Sequence, residues 1–340
     1  MGKKLGTILA IMLITAVGGC VDIGTDKAET ETEIRVRVGE IAPSILHAPQ
    51  YLAINQDIFA REGLAVEIIA AQNAGELIAA LREGRADIGL AEAEIIMQNY
   101  PAEPEDGLLS FSQLTQREGS FLLGAEPEAE FQWEDLKGKT VLMERSGGRQ
   151  EMMLDYILKQ HGLDPAEEVT VIADLDAAEV FLAGGGDYVI LEEPSVSWLE
   201  KSQAGYPVAS LGTAVGDIAG KVYFTSRSVL QERPDMIQKF SNAVYQAQRW
   251  MDRHSPDETA RAIAPFFAGI AKDDLARGLG RCQQQNTWRT TAVMDEESFD
   301  LLQEILFVSG QLDGRVESSG FMDSYFARKA VVSSEKNHYR

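Results

Sequence analysis

The chain has 340 residues, 45% of them hydrophobic, and carries a formal charge of −22. That apolar content is enough for one large domain or for two lobes with cores of their own, so disorder is not the default state. The acidic balance repels phosphate backbones and no basic stripe offsets it, which argues against nucleic-acid binding.

After MGKK comes the apolar run LGTILAIMLITAV. At about thirteen residues it is too short to span a bilayer but has the length of a signal-peptide core. VGGC follows, and a branched residue, two small ones and a cysteine in that position resemble the lipobox of bacterial lipoproteins. The resemblance implies a signal peptide at 1–19, acylation of Cys20, and a place in the cell envelope, lipid-anchored on the extracytoplasmic side. The alternative is a secretory signal without lipid, with Cys20 a bystander. Loss of 1–19 removes Lys3 and Lys4 and no acid, leaving 29 bases against 53 acids, or −24. Residues 20–33 are polar and aperiodic, as expected of a lipidated cysteine followed by a flexible tether. The other cysteine is Cys282, expected as a small buried residue. No disulfide, metal site or cofactor is expected.

From Ile34 strand and helix patterns alternate. IRVRVGEI reads as a strand, HAPQYLAINQDIFAREG as one helix ending at Gly63, LAVEIIAA as a strand, AGELIAALREG as a helix closing at Gly84, and ADIGLAE as a strand before a helix near Ile95 to Tyr100. The plan repeats with KTVLME, GGRQEMMLDYILKQHG, EEVTVIAD, DAAEVFLAGG, DYVILEE and PSVSWLEKSQAG. GKVYFTS reads as a strand returning the chain to the first lobe. The last third is helical, with Ser255, Pro256 and Glu258 forming an N-cap, a first-turn proline and a capping-box acid. The fold class is therefore α/β, with doubly wound, mainly parallel sheets and functional loops at the carboxyl ends of the strands.

The two halves share a pattern. In the stretches from Val66 and from Val169, Gly84 and Gly184 stand three positions before Asp87 and Asp187, and Glu92 and Glu192 follow those aspartates by five. Either this is a common βαβ coincidence, or the lobes are duplicates in which Glu92 and Glu192 occupy equivalent strand ends.

APQYLAINQDIFAREGLAVEI, ALREGRADIGLAEAE, ERSGGRQEMMLDYILKQHGLDP, DYVILEEPSVSWLEK and AVYQAQRWMDRHSPDETARAIAPFF together resemble the periplasmic solute-binding proteins of ABC importers. The resemblance is to the nitrate/sulfonate/taurine and thiamine-pyrimidine-precursor group, in lipoprotein form. It implies a type II two-lobe fold with a two-strand hinge and C-terminal helices: lobe 1 at 34–117 plus 220–330, lobe 2 at 118–219 and a tail at 331–340. It also implies a monomer without catalytic residues that closes on a small solute and presents it to the permease and ATPase subunits of a transporter. Two rivals are an enzyme of the thiamine-pyrimidine synthase type on the same fold, opposed by the scarcity of cysteines, and a ligand-sensing envelope lipoprotein without a transporter.

Ligand contacts are expected at strand carboxyl ends and the helix starts after them. Ser44, His47 and Gln50 lie in the first such turn. Arg145, Ser146, Gly147 and Gly148 open a helix whose free N–H groups suit an anion or carbonyl. Glu92, Glu94, Glu192 and Glu193 either complement helix dipoles or accept from a nitrogen-bearing ligand. Trp198 and Tyr223 offer a stacking face or belong to the core. The glutamates favour a nitrogen-bearing heterocycle or amine; Arg145, Arg149 and the glycines suit a nitrate- or sulfonate-type oxyanion.

Overall fold

The computed structural model describes residues 33–99, 107–145, 148–174, 176–315 and 317–338. The expected signal peptide, Cys20, Ser146 and Gly147 lie outside the described residues. Among the described residues ten strands form in chain order: β1 (Ile34–Glu40), β2 (Leu64–Ala70), β3 (Ile88–Glu92), β4 (Leu108–Gln113), β5 (Phe121–Gly124), β6 (Thr140–Met143), β7 (Thr170–Ala173), β8 (Tyr188–Leu191), β9 (Tyr206–Ser210) and β10 (Lys221–Ser226).

They make two five-stranded sheets, ordered β2-β1-β3-β10-β4 and β7-β6-β8-β5-β9. In each, the first three strands are parallel and the last two join antiparallel. The sheets are thus mixed, because β5 and β10 arrive from the other lobe and not through a helix crossover within their own. The chain crosses between the sheets twice, from Gln113 to Phe121 and from Ser210 to Lys221. Short apolar runs such as TVLM and YVIL form strands buried on both faces. One core cluster packs the Ala48–Asn55 and Pro234–Arg253 helices on the first sheet, and a second runs from Leu77 and Phe224 through Leu122 and Ile190. The lobes are therefore packed together.

Most expected elements form, with informative exceptions. The single helix expected at 47–63 is two, Ala48–Asn55 and Ile58–Arg61, because Asp57 takes a left-handed φ of 54° between them. Gly63, Gly84 and Gly184 end their helices at positive φ, which glycine adopts without a Cβ clash. The capping box at Ser255 forms, with Ser255 N–H donating to Glu258 Oε2 at 2.9 Å.

The internal repeat is built into the geometry. Asp87 Oδ2 accepts from the N–H of Arg37 on β1 at 2.8 Å, and Asp187 Oδ2 accepts from the N–H of Thr140 on β6 at 2.8 Å. Each aspartate thus pins its parallel strand to the central strand of its sheet. Their surroundings differ, since Asp87 also holds Arg37 Nε at 3.1 Å and Arg233 Nη1 at 2.6 Å with a side chain only 9% exposed, whereas Asp187 is 44% exposed. Asp87→Ala is expected to cost ~2–4 kcal/mol, since it strands two guanidinium groups and a backbone donor, and Asp187→Ala about 1 kcal/mol. Urea midpoints of the two variants check this; equal losses would show that the arginines contribute nothing.

Candidate functional site

A cleft of about 720 Å³ opens where the strand ends of the two lobes face each other. One wall is the turn after β1 (Ile41 to Ile45) with His47, the end of β3 at Glu92, Lys221 at the start of β10, and Phe266 and Phe267. The other is Glu144, Arg145 and Gly148 to Gln150 after β6, with Glu192 to Ser195 after β8. This is the crevice at strand carboxyl ends where doubly wound sheets bind ligands.

The cleft's cations are largely matched by protein carboxylates. Lys221 Nζ donates to Glu92 Oε1 at 2.5 Å, and the two residues are register partners on β10 and β3. Arg149, first residue of the Arg149–Gln160 helix, reaches across the cleft to pair with Glu94 and lies 3.4 Å from Glu92, while its Nε donates to Glu118. Burial opposes ionisation of Glu92, but Lys221 and Arg149 outweigh it and lower its pKa to about 2. Burial leaves Glu94 above the ordinary carboxylate range despite Arg149.

Glu192 is different. Among the described residues its carboxylate has neither hydrogen bond nor ion pair, and burial, with Glu118, Glu92 and Glu144 nearby, raises its pKa to about 7 against the pull of Lys221. The internal repeat accounts for the difference. Lys221 stands opposite Glu92, but the ladder beside Glu192 ends at the Phe121–Leu191 pair, and Ser120, the residue before Phe121, donates its hydroxyl to Glu118 at 2.9 Å. A short side chain already committed elsewhere leaves Glu192 with an open acceptor.

Of the other expected ligand residues, Ser44, His47, Arg145, Gly148 and Glu193 line the cleft with Glu92 and Glu192. Ser44 Oγ accepts from Leu46 N–H at 3.2 Å, and Arg145 is exposed. Glu193 is held by Arg281 and accepts from Ser197 N–H at 3.1 Å, so it caps the following helix. Three expected residues do not reach the cleft. Gln50 is fully buried with its amide donating to Glu40 at 2.9 Å, Glu94 is consumed by Arg149, and Tyr223 sits in the core against Phe111 and Phe240. Trp198 is 51% exposed outside the cleft. The aromatic wall is Phe266 and Phe267, missed in the sequence although APFFA closes the well-capped Ser255 helix; Phe266 stacks on Tyr51 at 4.5 Å. Lys221 and Glu144 were also missed. Among the described residues no group of His, Cys, Asp or Glu side chains is placed to hold a metal, and no helix is long and apolar enough to cross a membrane.

Comparison with known proteins places this architecture. Residues 44–259 match the family model described as NMT1/THI5 like. The chain is 32% identical over 330 residues to YtlA of Bacillus subtilis (strain 168), a candidate binding protein, covering 96% of each. Among solved structures it is similar to the periplasmic aliphatic sulphonate-binding protein SsuA of Escherichia coli, with a TM-score of 0.67, 17% identity and coverage of 84% and 96%. It is likewise similar to the periplasmic nitrate-binding protein NrtA of Synechocystis PCC 6803, with 0.65, 16%, 89% and 90%. A desulfurization enzyme, DSZB, has the same fold at a TM-score of 0.64 and 14% identity, covering 88% and 99%. At such identities these structures establish a two-lobe periplasmic binding protein fold.

Proposed function

Because the chain belongs to the NMT1/THI5-like family, we propose that it is the solute-binding lipoprotein of an ABC-type import system, capturing a small solute between its lobes and delivering it to a membrane permease. It performs no chemistry of its own. Its described cysteine, Cys282, is fully buried with its thiol pKa pushed far up by burial, the opposite of what a nucleophile needs. The solute is a nitrogen-bearing heterocycle or amine. The observation that carries this is Glu192, an acceptor without a partner among the described residues, in a cleft whose buried cations already have theirs. An oxyanion would have to draw Arg149 from three carboxylates or rely on exposed Arg145 and the Gly148 helix start, whereas a ligand N–H gives Glu192 the partner it lacks. Phe266 and Phe267 supply an apolar face for a ring.

The test is a thermal-shift screen. The mature chain is refolded from denaturant to strip carried ligand, then challenged with pyrimidines, purines, amines, sulfonates and nitrate. A ligand at a hundred times its dissociation constant stabilises by ~2.7 kcal/mol. Aminopyrimidines, purines or amines are expected to raise the midpoint. A response confined to sulfonate or nitrate would overturn the ligand class, and no response from any class would overturn the transport reading.

A further inference from the structure

Beneath the lobe 1 wall lies a hydrogen-bond cluster centred on Glu40, the last residue of β1. Its carboxylate, 3% exposed, accepts from Tyr51 OH through Oε1 at 2.8 Å and from Gln50 Nε2 through Oε2 at 2.9 Å, and Oε2 stands 3.0 Å from His47 Nδ1. His47 lines the cleft, and its other ring nitrogen, Nε2, is buried without a partner among the described residues. We propose that Glu40 is a positioning residue that fixes the tautomer of His47, so that His47 presents a bare Nε2 lone pair to the solute and selects ligands carrying an N–H or O–H donor at that point.

The argument is one of donor and acceptor count. An ionised carboxylate only accepts, so the bond from His47 requires the proton on Nδ1, and Tyr51 cannot supply it because its own proton is directed to Oε1. Burial opposes the imidazolium and lowers the His47 pKa; Glu40 and Glu92 pull the other way, and Lys221 assists burial. A neutral ring with Nδ1–H has Nε2 as an acceptor. Such an atom is unfavourable when buried alone, and a ligand donor satisfies it. With Glu192 on the facing lobe, the cleft then offers one acceptor from each side. This inference rests on the cleft being the solute site.

Long-range proton–nitrogen NMR of the mature, nitrogen-15-labelled chain tests it, with His47→Asn assigning the His47 signal among the four histidines. Wild type is expected to show Nδ1 protonated and Nε2 bare at neutral pH; an Nε2–H tautomer or an imidazolium would overturn the proposal. In Glu40→Gln the amide can donate to Nδ1, so the proton is expected to move to Nε2, and an unchanged tautomer would overturn Glu40's role. The wild-type spectrum decides even if that variant misfolds. For selectivity, wild type is expected to bind 4-aminopyrimidine at least about tenfold tighter than pyrimidine, with the preference lost in Glu40→Gln; equal wild-type affinities would overturn donor selection. If neither probe binds wild type, the ligand class fails while the tautomer spectra still decide the role of Glu40.

Discussion

Replacing Arg149 with methionine is expected to lower the unfolding free energy by ~3–5 kcal/mol and to loosen the clamp. The Arg149 side chain is 11% exposed and those of Glu94 and Glu118 are 7% and 3%, so all three charges have left bulk water and depend on one another. Methionine fills much of the volume but leaves the carboxylates without a cation. The folded-state pKa of Glu94, already raised by burial, then rises further above the unfolded value of roughly 4.3. A raised carboxyl pKa lowers stability as pH climbs from the unfolded value to the folded one, so the deficit is expected to be small near about pH 5 and full near about pH 8. Urea titrations at both values read this directly, and small-angle scattering reads any opening. Adding Glu94→Gln to the variant removes one stranded charge and is expected to restore part of the loss. A deficit below about 1 kcal/mol at both pH values would show that this arginine does not anchor the lobes to each other.

The same residue shows how far the sequence can be read. Strands announced by apolar runs between glycine and aspartate were legible, and so was the pairing of Asp87 with Asp187 as equivalents, because the spacing is local. Three strands were not. LLSFSQ of β4 buries Ser110, Ser112 and Gln113 along with its apolar residues, so its polar positions mark no solvent face, FLLG of β5 is only four residues long, and YPVAS of β9 contains Pro207, which a strand tolerates at the sheet edge. At the site, strand ends were identifiable as places, but the fate of each carboxylate was not. Arg149 meets Glu94 across 55 positions and Lys221 meets Glu92 across 129. Nothing within either short motif encodes those partners; the return of β10 into the first sheet does. Glu92 and Glu192 read as twins, yet Lys221 neutralises the first, while the second has no partner among the described residues where the β5–β8 ladder ends at Phe121–Leu191.

Glu192→Gln is accordingly expected to do two opposite things. In the ligand-free protein it stabilises. The folded-state pKa of Glu192 is raised to about 7, whereas the unfolded value is roughly 4.3, so the native state holds a proton that the unfolded chain has lost throughout that interval. Stability from this group is therefore full at low pH, declines as pH rises between those values, and stays reduced above them. A neutral amide removes the penalty, and after discounting for partial exposure the gain at about pH 8 is ~1–2 kcal/mol. With a nitrogen-bearing ligand the same change weakens binding, because a charge-assisted hydrogen bond worth ~1.5–3 kcal/mol is lost, about 10- to 150-fold in affinity. Wild-type affinity is further expected to climb with pH through about 7 as Glu192 ionises, and the Gln variant to show no such rise. Denaturant midpoints at about pH 8 and calorimetric titration with a ligand from the screen measure both arms. Loss of stability in the empty protein would mean that Glu192 has a protein partner after all, and unchanged affinity would remove it from the site. Both arms together would identify an acceptor kept at a cost to the fold and satisfied only by the solute, which is the differential affinity a two-lobe clamp needs to close on its cargo.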